Sequence, residues 1–256
     1  MQLSPWFTSI FTTVPLLHDS KSPPKPFSHN MAQTIAVTNG PEMQRIELGS
    51  TIIPMEPQKR INEGTDIALW LTSRAYVLLF TFLQQLNRAM FPARYQDGSV
   101  RAWTLTTFDI IQSPRVVRIK VLLQTVQTMA KDTILSTAPR RFGNTSFRTF
   151  NQKLKDRTPE LMLQAIPGNV WDHVSEGDKD TLVQELGAYF LGSFGSPERL
   201  DYGTGHELSF LAFIAAVWRL NGFGPSNGGN EERGIVVGVI DSLVPTSIES
   251  LLPLTE

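Results

Sequence analysis

The chain has 256 residues, 41% hydrophobic and 18% charged, with a formal net charge of −1. That is enough apolar material for one large domain or two smaller ones, and too little charge to set up a field for nucleic acid or an anionic membrane. There is no cysteine, which excludes disulfides and thiolate metal sites and agrees with a reducing compartment, and no stretch reaches the about eighteen apolar residues of a membrane-spanning helix.

The opening stretch, MQLSPWFTSIFTTVPLLHD, is as apolar as a secretory leader, but it lacks a basic start and is interrupted by Pro5 and Pro15. It reads as an extension, or as an upstream start ahead of Met31, with Pro23, Pro24 and Pro26 as linker. Residues 40–58 are similarly loose, with Pro41, Pro54 and Pro57 between short apolar runs. Residues 1–50 are therefore expected to be disordered or extended.

Helical periodicity begins at Thr65. Leu79, Phe82, Leu83, Leu86 and Met90 share one face of a helix predicted from about Asp66 to Met90, with Pro92 near its end. A turn follows at Asp97 and Gly98. Ser113 and Pro114 have the residue types of a cap and a first helical position, and Val116, Ile119, Leu123, Val126 and Ala130 form the next apolar stripe. Thr158, Pro159 and Glu160 repeat the start signal, and Ser175 opens a helix that carries Leu182, Val183, Leu186 and Phe190 inward. Strand-like alternation is scarce, with Val236 to Ile240 the run most easily mistaken for a strand. The periodicity suggests an all-α fold.

The run Asp201 to Glu207, DYGTGHE, combines a hinge, a helix start and two carboxylates. Thr204 and Glu207 have the spacing of a capping box, in which a hydroxyl and a carboxylate satisfy two end amides reciprocally. A helix is therefore predicted near Gly205, with Leu208, Leu211, Ala215 and Trp218 on its buried face and its end at Asn221 and Gly222. Gly192, Gly195, Ser196, Pro197 and Gly203 make the approach a loop whose backbone can come close to a ligand. Free amides and the positive dipole end favour an anion there; Arg199 suits a phosphate, and Asp201 with Glu207 suits a hard cation such as magnesium. A plainer reading stands beside it, with Glu207 as a cap, Asp201 as a turn former and His206 as a core histidine.

A second segment, RRFGNTSFRTF from Arg140 to Phe150, offers aromatic faces at Phe142, Phe147 and Phe150, a tight turn at Gly143 and Asn144, and fixed-charge donors at Arg140, Arg141 and Arg148. Core aromatics flanked by solvated arginines would look the same.

These strings carry a resemblance. DYGTGHE, preceded by LGSFGSPERL and followed by LSFLAFIAAVWRL, resembles the signature of the phosphotyrosyl phosphatase activator family, the activators of protein phosphatase 2A. RRFGNTSFRTF looks like that family's other hallmark, and KRINEGTDIALWLTSRAY, Lys59 to Tyr76, is similar to its N-terminal entry motif. The three follow the family's order across roughly Pro54 to Val239. The resemblance implies an all-α, single multi-helix domain over residues 51–239. Residues 240–256 do not look like the family, so a C-terminally truncated or divergent member with a divergent tail is expected.

By the same resemblance the chain is expected to bind ATP with magnesium. The matching nucleotide residues are Arg141, Phe142, Gly143, Asn144, Thr145, Ser146 and Phe147 in one segment and Arg199, Tyr202, Gly203, Thr204 and Gly205 in the other, with Asp201 and Glu207 as metal carboxylates. The family also implies peptidyl-prolyl cis-trans isomerisation, whose barrier of about 20 kcal/mol falls when a groove favours the twisted amide, so no covalent nucleophile is needed and no catalytic residue is assigned. Its implied partners are the protein phosphatase 2A catalytic subunit or core enzyme and a proline-containing peptide, with neither nucleic acid nor membrane, in the cytoplasm and also the nucleus. Two alternatives stay open: a non-enzymatic, ATP-dependent folding partner of the phosphatase, and an inactive truncated fragment.

Overall fold

In the computed structural model, residues 9–12, 40–58, 60–94, 98–101, 112–133, 146–199 and 202–243 are described. Helices follow in the order α1 (Ser9–Thr12), α2 (Asp66–Leu71), α3 (Arg74–Met90), α4 (Pro114–Lys131), α5 (Ser146–Ala165), α6 (Gly168–Trp171), α7 (Lys179–Leu191), α8 (Thr204–Arg219) and α9 (Asn230–Ile235). Between α3 and α4 a small antiparallel hairpin pairs β1 (Ala93–Arg94) with β2 (Val100–Arg101), Ala93 opposite Arg101. Gly98, with φ +84°, is part of its connection, where only a residue without Cβ is unstrained. Asp97 lies outside the described residues. Among the described residues the fold is all-α apart from this hairpin.

The core is organised around α8, which is buried on nearly every side: Phe210, Ala212, Phe213, Ile214, Ala215, Ala216, Val217 and Trp218 are all enclosed. The expected single apolar face of this helix is therefore too narrow, and two of its members, Leu208 and Leu211, are only half-buried. A helix apolar all round belongs in the middle of a protein. Asn221, at φ +60°, ends the helical run, and Gly222 N–H returns to the Val217 carbonyl at 2.8 Å, as expected of a left-handed terminator.

The predicted helix from Asp66 to Met90 is two helices. Ser73 adopts an extended backbone and its hydroxyl accepts the Tyr76 N–H at 3.1 Å, so it caps α3 and separates it from α2. Leu79, Phe82 and Leu86 are buried as expected, but Leu83 is 48% exposed and Met90 half-buried; Ala75, Leu78 and Ala89 complete the inward stripe instead. In α4 the Ser113 cap is present, with Oγ accepting the Val116 N–H at 3.2 Å, and all five members of the predicted stripe are buried.

Thr158 and Pro159 do not start a helix; they sit inside α5. Pro159 lies on the exposed face, as does Lys155, whose carbonyl loses the proline's donor and turns to water; separately, the buried Thr158 hydroxyl donates to the Leu154 carbonyl at 2.7 Å. Ser175 does precede a helix: its hydroxyl bonds Asp178 Oδ2 across a 3₁₀ turn, Glu176–Asp178, that runs into α7, and Leu182, Val183, Leu186 and Phe190 are buried. Val236–Ile240 is a π-helical continuation of α9, packed on α4 through Gly234 and Gly238, where an added Cβ would meet Val116 and Gln112.

Residues 40–52 form an extended strap closed by backbone pairing. Ile46 N–H bonds the Arg219 carbonyl at 2.8 Å and Ile52 N–H the His173 carbonyl at 2.7 Å, while Met43, Ile46 and Ile52 are buried. Arg45 stacks 3.9 Å over the Trp218 ring and reaches the Phe223 and Gly224 carbonyls. Ser9–Thr12 is helical and its Ile10 and Phe11 are fully enclosed, where a disordered or extended stretch is expected from the prolines around it.

Candidate functional site

The site is built where α7 hands the chain to α8. A 3₁₀ turn, Gly192–Phe194, continues α7, and Gly195 then takes φ +98°, ψ 176°, a conformation essentially confined to glycine. That reversal starts the 195–203 loop. Ser196 Oγ receives the Arg199 N–H at 3.2 Å and donates to Glu198 Oε2 at 3.1 Å, closing a local turn.

The start of α8 differs from the predicted capping box. The cap position is Gly203, with extended backbone and no side-chain cap bond; Thr204 is already helical, so it stands one position too late for its hydroxyl to cap Glu207 N–H. The first turn closes through the backbone, His206 N–H to the Gly203 carbonyl at 2.8 Å. Gly203, Thr204 and Glu207 are exposed and Gly205 is half-buried. A 16-residue helix thus begins at the surface without a side-chain cap, leaving amide donors at its positive end.

His206 is 7% exposed and its Nδ1 donates to the Gly192 carbonyl at 2.7 Å, which places the ring proton on Nδ1 and ties the helix to the turn before the loop. This is the core-histidine arrangement. Tyr202 stacks on it, with centroids 5.5 Å apart and 23° between the planes, and the Tyr202 hydroxyl is buried without a hydrogen-bond partner. Burial, and secondarily the negative charge of Glu207, push the Tyr202 hydroxyl well above its ordinary value, so it remains a neutral donor.

The two hallmark segments meet at Arg148. Its Nε donates to the Pro197 carbonyl at 3.0 Å and so joins the first turn of α5 to the 195–203 loop. Ser146 and Phe147 are buried, and Phe147 packs on Phe150 at 6.1 Å between centroids. Arg199 is exposed on the loop. Arg141, Phe142, Gly143, Asn144, Thr145 and Asp201 lie outside the described residues. Among the described residues no group of three or more metal-ligating side chains is present, and Glu207 is the metal candidate that can be placed.

A sequence model of the Phosphotyrosyl phosphate activator (PTPA) protein family matches residues 57–247. The chain belongs to this family. Among curated relatives, the Serine/threonine-protein phosphatase 2A activator 1 of Aspergillus fumigatus is 47% identical over 185 residues, covering 72% of this chain and 39% of the relative. The activator of Drosophila melanogaster is 29% identical over 161 residues, covering 63% and 35%. The solved structure of the PP2A phosphatase activator Ypa1 PTPA1 superposes with a TM-score of 0.58 at 23% identity, covering 82% of this chain and 60% of that one, which supports the shared fold. The chain spans about two fifths of the length of these and similar curated relatives of Aspergillus and Emericella.

The match to the activator family runs to residue 247, past the boundary expected at Val239. It takes in the π-helical turn and the residues after it. Arg148, expected as a fixed-charge donor, spends its Nε on the Pro197 carbonyl, and Ser196, expected in the approach loop, closes the local turn. No helix among the described residues is long and apolar enough to cross a membrane.

Proposed function

We propose that the chain acts in the activation of protein phosphatase 2A, engaging the phosphatase catalytic subunit through the surface that carries the 195–203 loop and the start of α8. Membership of the activator family over residues 57–247 carries this reading, and relatives named phosphatase 2A activators support it.

The finer reading is that the same site takes ATP with magnesium. The uncapped start of α8 suits a phosphate, because exposed Gly203 and Thr204 leave backbone donors at the positive end of a long helix. Glu207, exposed in the first turn, and Asp201 would hold the cation, with waters and phosphate oxygens completing its shell. When bound, the nucleotide supplies the phosphate oxygens that share the metal with these carboxylates. Arg148 keeps the loop registered against α5, and Tyr202 and His206 form one packed wall beside it.

Peptidyl-prolyl isomerisation is the enzymatic form of this proposal. It calls on the chain only to bind a twisted proline amide better than either planar isomer. The binding-only alternative, an ATP-dependent folding partner of the phosphatase, uses the same surface.

Calorimetry with ATP and magnesium on this chain and on Asp201→Ala tests the nucleotide reading. Micromolar binding lost in the variant is expected; heat from neither protein would sink the nucleotide reading. Capture of purified phosphatase catalytic subunit tests the partner. A proline tetrapeptide assay without phosphatase separates the two forms, since acceleration there requires the isomerase.

A further inference from the structure

Ile10 and Phe11 have no exposed surface, yet residues 13–39 lie between them and the strap that begins the folded body. A single turn of four residues cannot sustain itself as a helix, so its form comes from the seat it occupies. That seat is made by α3, α7 and α8. Glu185 Oε1 on α7 accepts the Ile10 N–H at 3.3 Å, and Arg219 Nε on α8 donates to the Ile10 carbonyl at 2.8 Å. The Phe11 ring meets Tyr189 edge-on at 5.9 Å between centroids.

The arrangement has the character of a receptor. Glu185 and Arg219 are 0% and 1% exposed, and between them they hold both backbone polar groups of one residue while an aromatic side chain fills an apolar recess; Glu185 also accepts the Met55 N–H at 3.0 Å and the Tyr189 hydroxyl at 3.3 Å, so the carboxylate is fixed from the folded body. Arg219 has one other acceptor, the Gln44 carbonyl at 3.1 Å, and no described carboxylate lies within ion-pair distance of it. Burial, and then the nearby Arg74, hold its guanidinium below the usual range, down to about 10. A buried cation satisfied by carbonyls alone is expensive to leave bare, so this seat favours being filled by a peptide backbone.

We propose that α1 is an intrachain peptide ligand, an Ile-Phe anchor seated reversibly in a groove of α3, α7 and α8 that clamps the Ile10 N–H and C=O between Glu185 and Arg219. The occupant is this chain's own Ser9–Thr12 segment, and the proposal is independent of the phosphatase reading. When the anchor leaves, the groove accepts the same segment supplied as a separate peptide.

The test uses the full chain carrying Ile10→Asp and Phe11→Asp together, with a fluorescein-labelled synthetic peptide of residues 2–16 as probe, followed by anisotropy. The variant is expected to keep a cooperative melt and to bind the probe at least about tenfold more tightly than the unaltered chain, whose tethered anchor competes at high effective concentration. A folded variant that binds the probe no better than the unaltered chain overturns the proposal, as does a variant that unfolds, which would make α1 an integral piece of core. Hydrogen exchange on the unaltered chain is an independent check. The Ile10 and Phe11 amides should exchange at least about a hundredfold faster than those of Phe213 and Val217, and equal protection overturns reversible seating.

Discussion

Gly187→Ala tests the crossing that brings the two halves of the site together. An added Cβ at Gly187 would lie 2.9 Å from Thr158 Cγ2, closer than real Cβ atoms approach. Thr158 has little room to yield: it is 3% exposed, β-branched, and held by its hydroxyl bond to the Leu154 carbonyl at 2.7 Å. Overpacking of this kind costs about 1–3 kcal/mol, and replacing a helix-interior glycine by alanine returns about 0.5–1 kcal/mol, so the net loss is about 0–2.5 kcal/mol. Thr158→Ser keeps the hydroxyl bond and removes the offending methyl, at about 1 kcal/mol on its own. In the double variant the new Cβ occupies the space that the methyl vacates. The two changes should therefore couple favourably by about 1–2 kcal/mol, leaving the double variant close to the unaltered chain. Equilibrium urea unfolding followed by circular dichroism measures all three, provided the slope with denaturant is unchanged. Single effects that add to within about 0.5 kcal/mol would refute this account of the crossing. The crossing matters to the site because α5 delivers Arg148 to Pro197 and α7 delivers the Gly192 carbonyl to His206.

Tyr202 carries a pH dependence. Because its folded value is raised above the ordinary tyrosine value of 10.0, the contribution is fully present below pH 10 and is lost as pH rises beyond it, where the unfolded chain ionises and the folded chain does not. Unfolding free energy measured from pH 9 to 11 should fall more steeply for the unaltered chain than for Tyr202→Phe, and parallel curves would show that the hydroxyl is not held neutral. Gly195→Ala should destabilise by about 1–3 kcal/mol, because φ +98° with ψ 176° is strained for any residue with a Cβ. Gly177→Ala, exposed and with nothing within 4 Å of the added atom, should stay within about 0.5 kcal/mol by the same urea unfolding; equal losses at the two positions would discount the strain.

Much of the helical order is legible residue by residue. The α4 stripe is spaced at three and four with a serine cap and a proline after it, and every expected member is buried. The break between α2 and α3 is written in Ser73, but apolar periodicity runs straight across it and hides the cap. Thr158 and Pro159 mislead in the opposite way, since a start signal and a tolerated proline on the exposed face of a helix are the same residues. At the site, the seven-residue motif locates the start of α8 to within one position, whereas the capping bond it suggests is absent because the backbone turns helical at Thr204.

What the sequence determined by itself is the class of the protein: helices throughout, a loop feeding the start of a long helix, and family strings in their proper order. Those follow from local chemistry, because caps, turns and apolar spacing act over a few residues. Tertiary structure decided which helix is central, that Arg148 joins α5 to the 195–203 loop, that His206 bonds the turn before that loop, and that a leader-like Ile-Phe pair fills a groove between Glu185 and Arg219. Each depends on partners from 14 to 209 residues apart along the chain. No short-range pattern records such a pairing, because burial is a property of the assembled neighbours rather than of the residue itself.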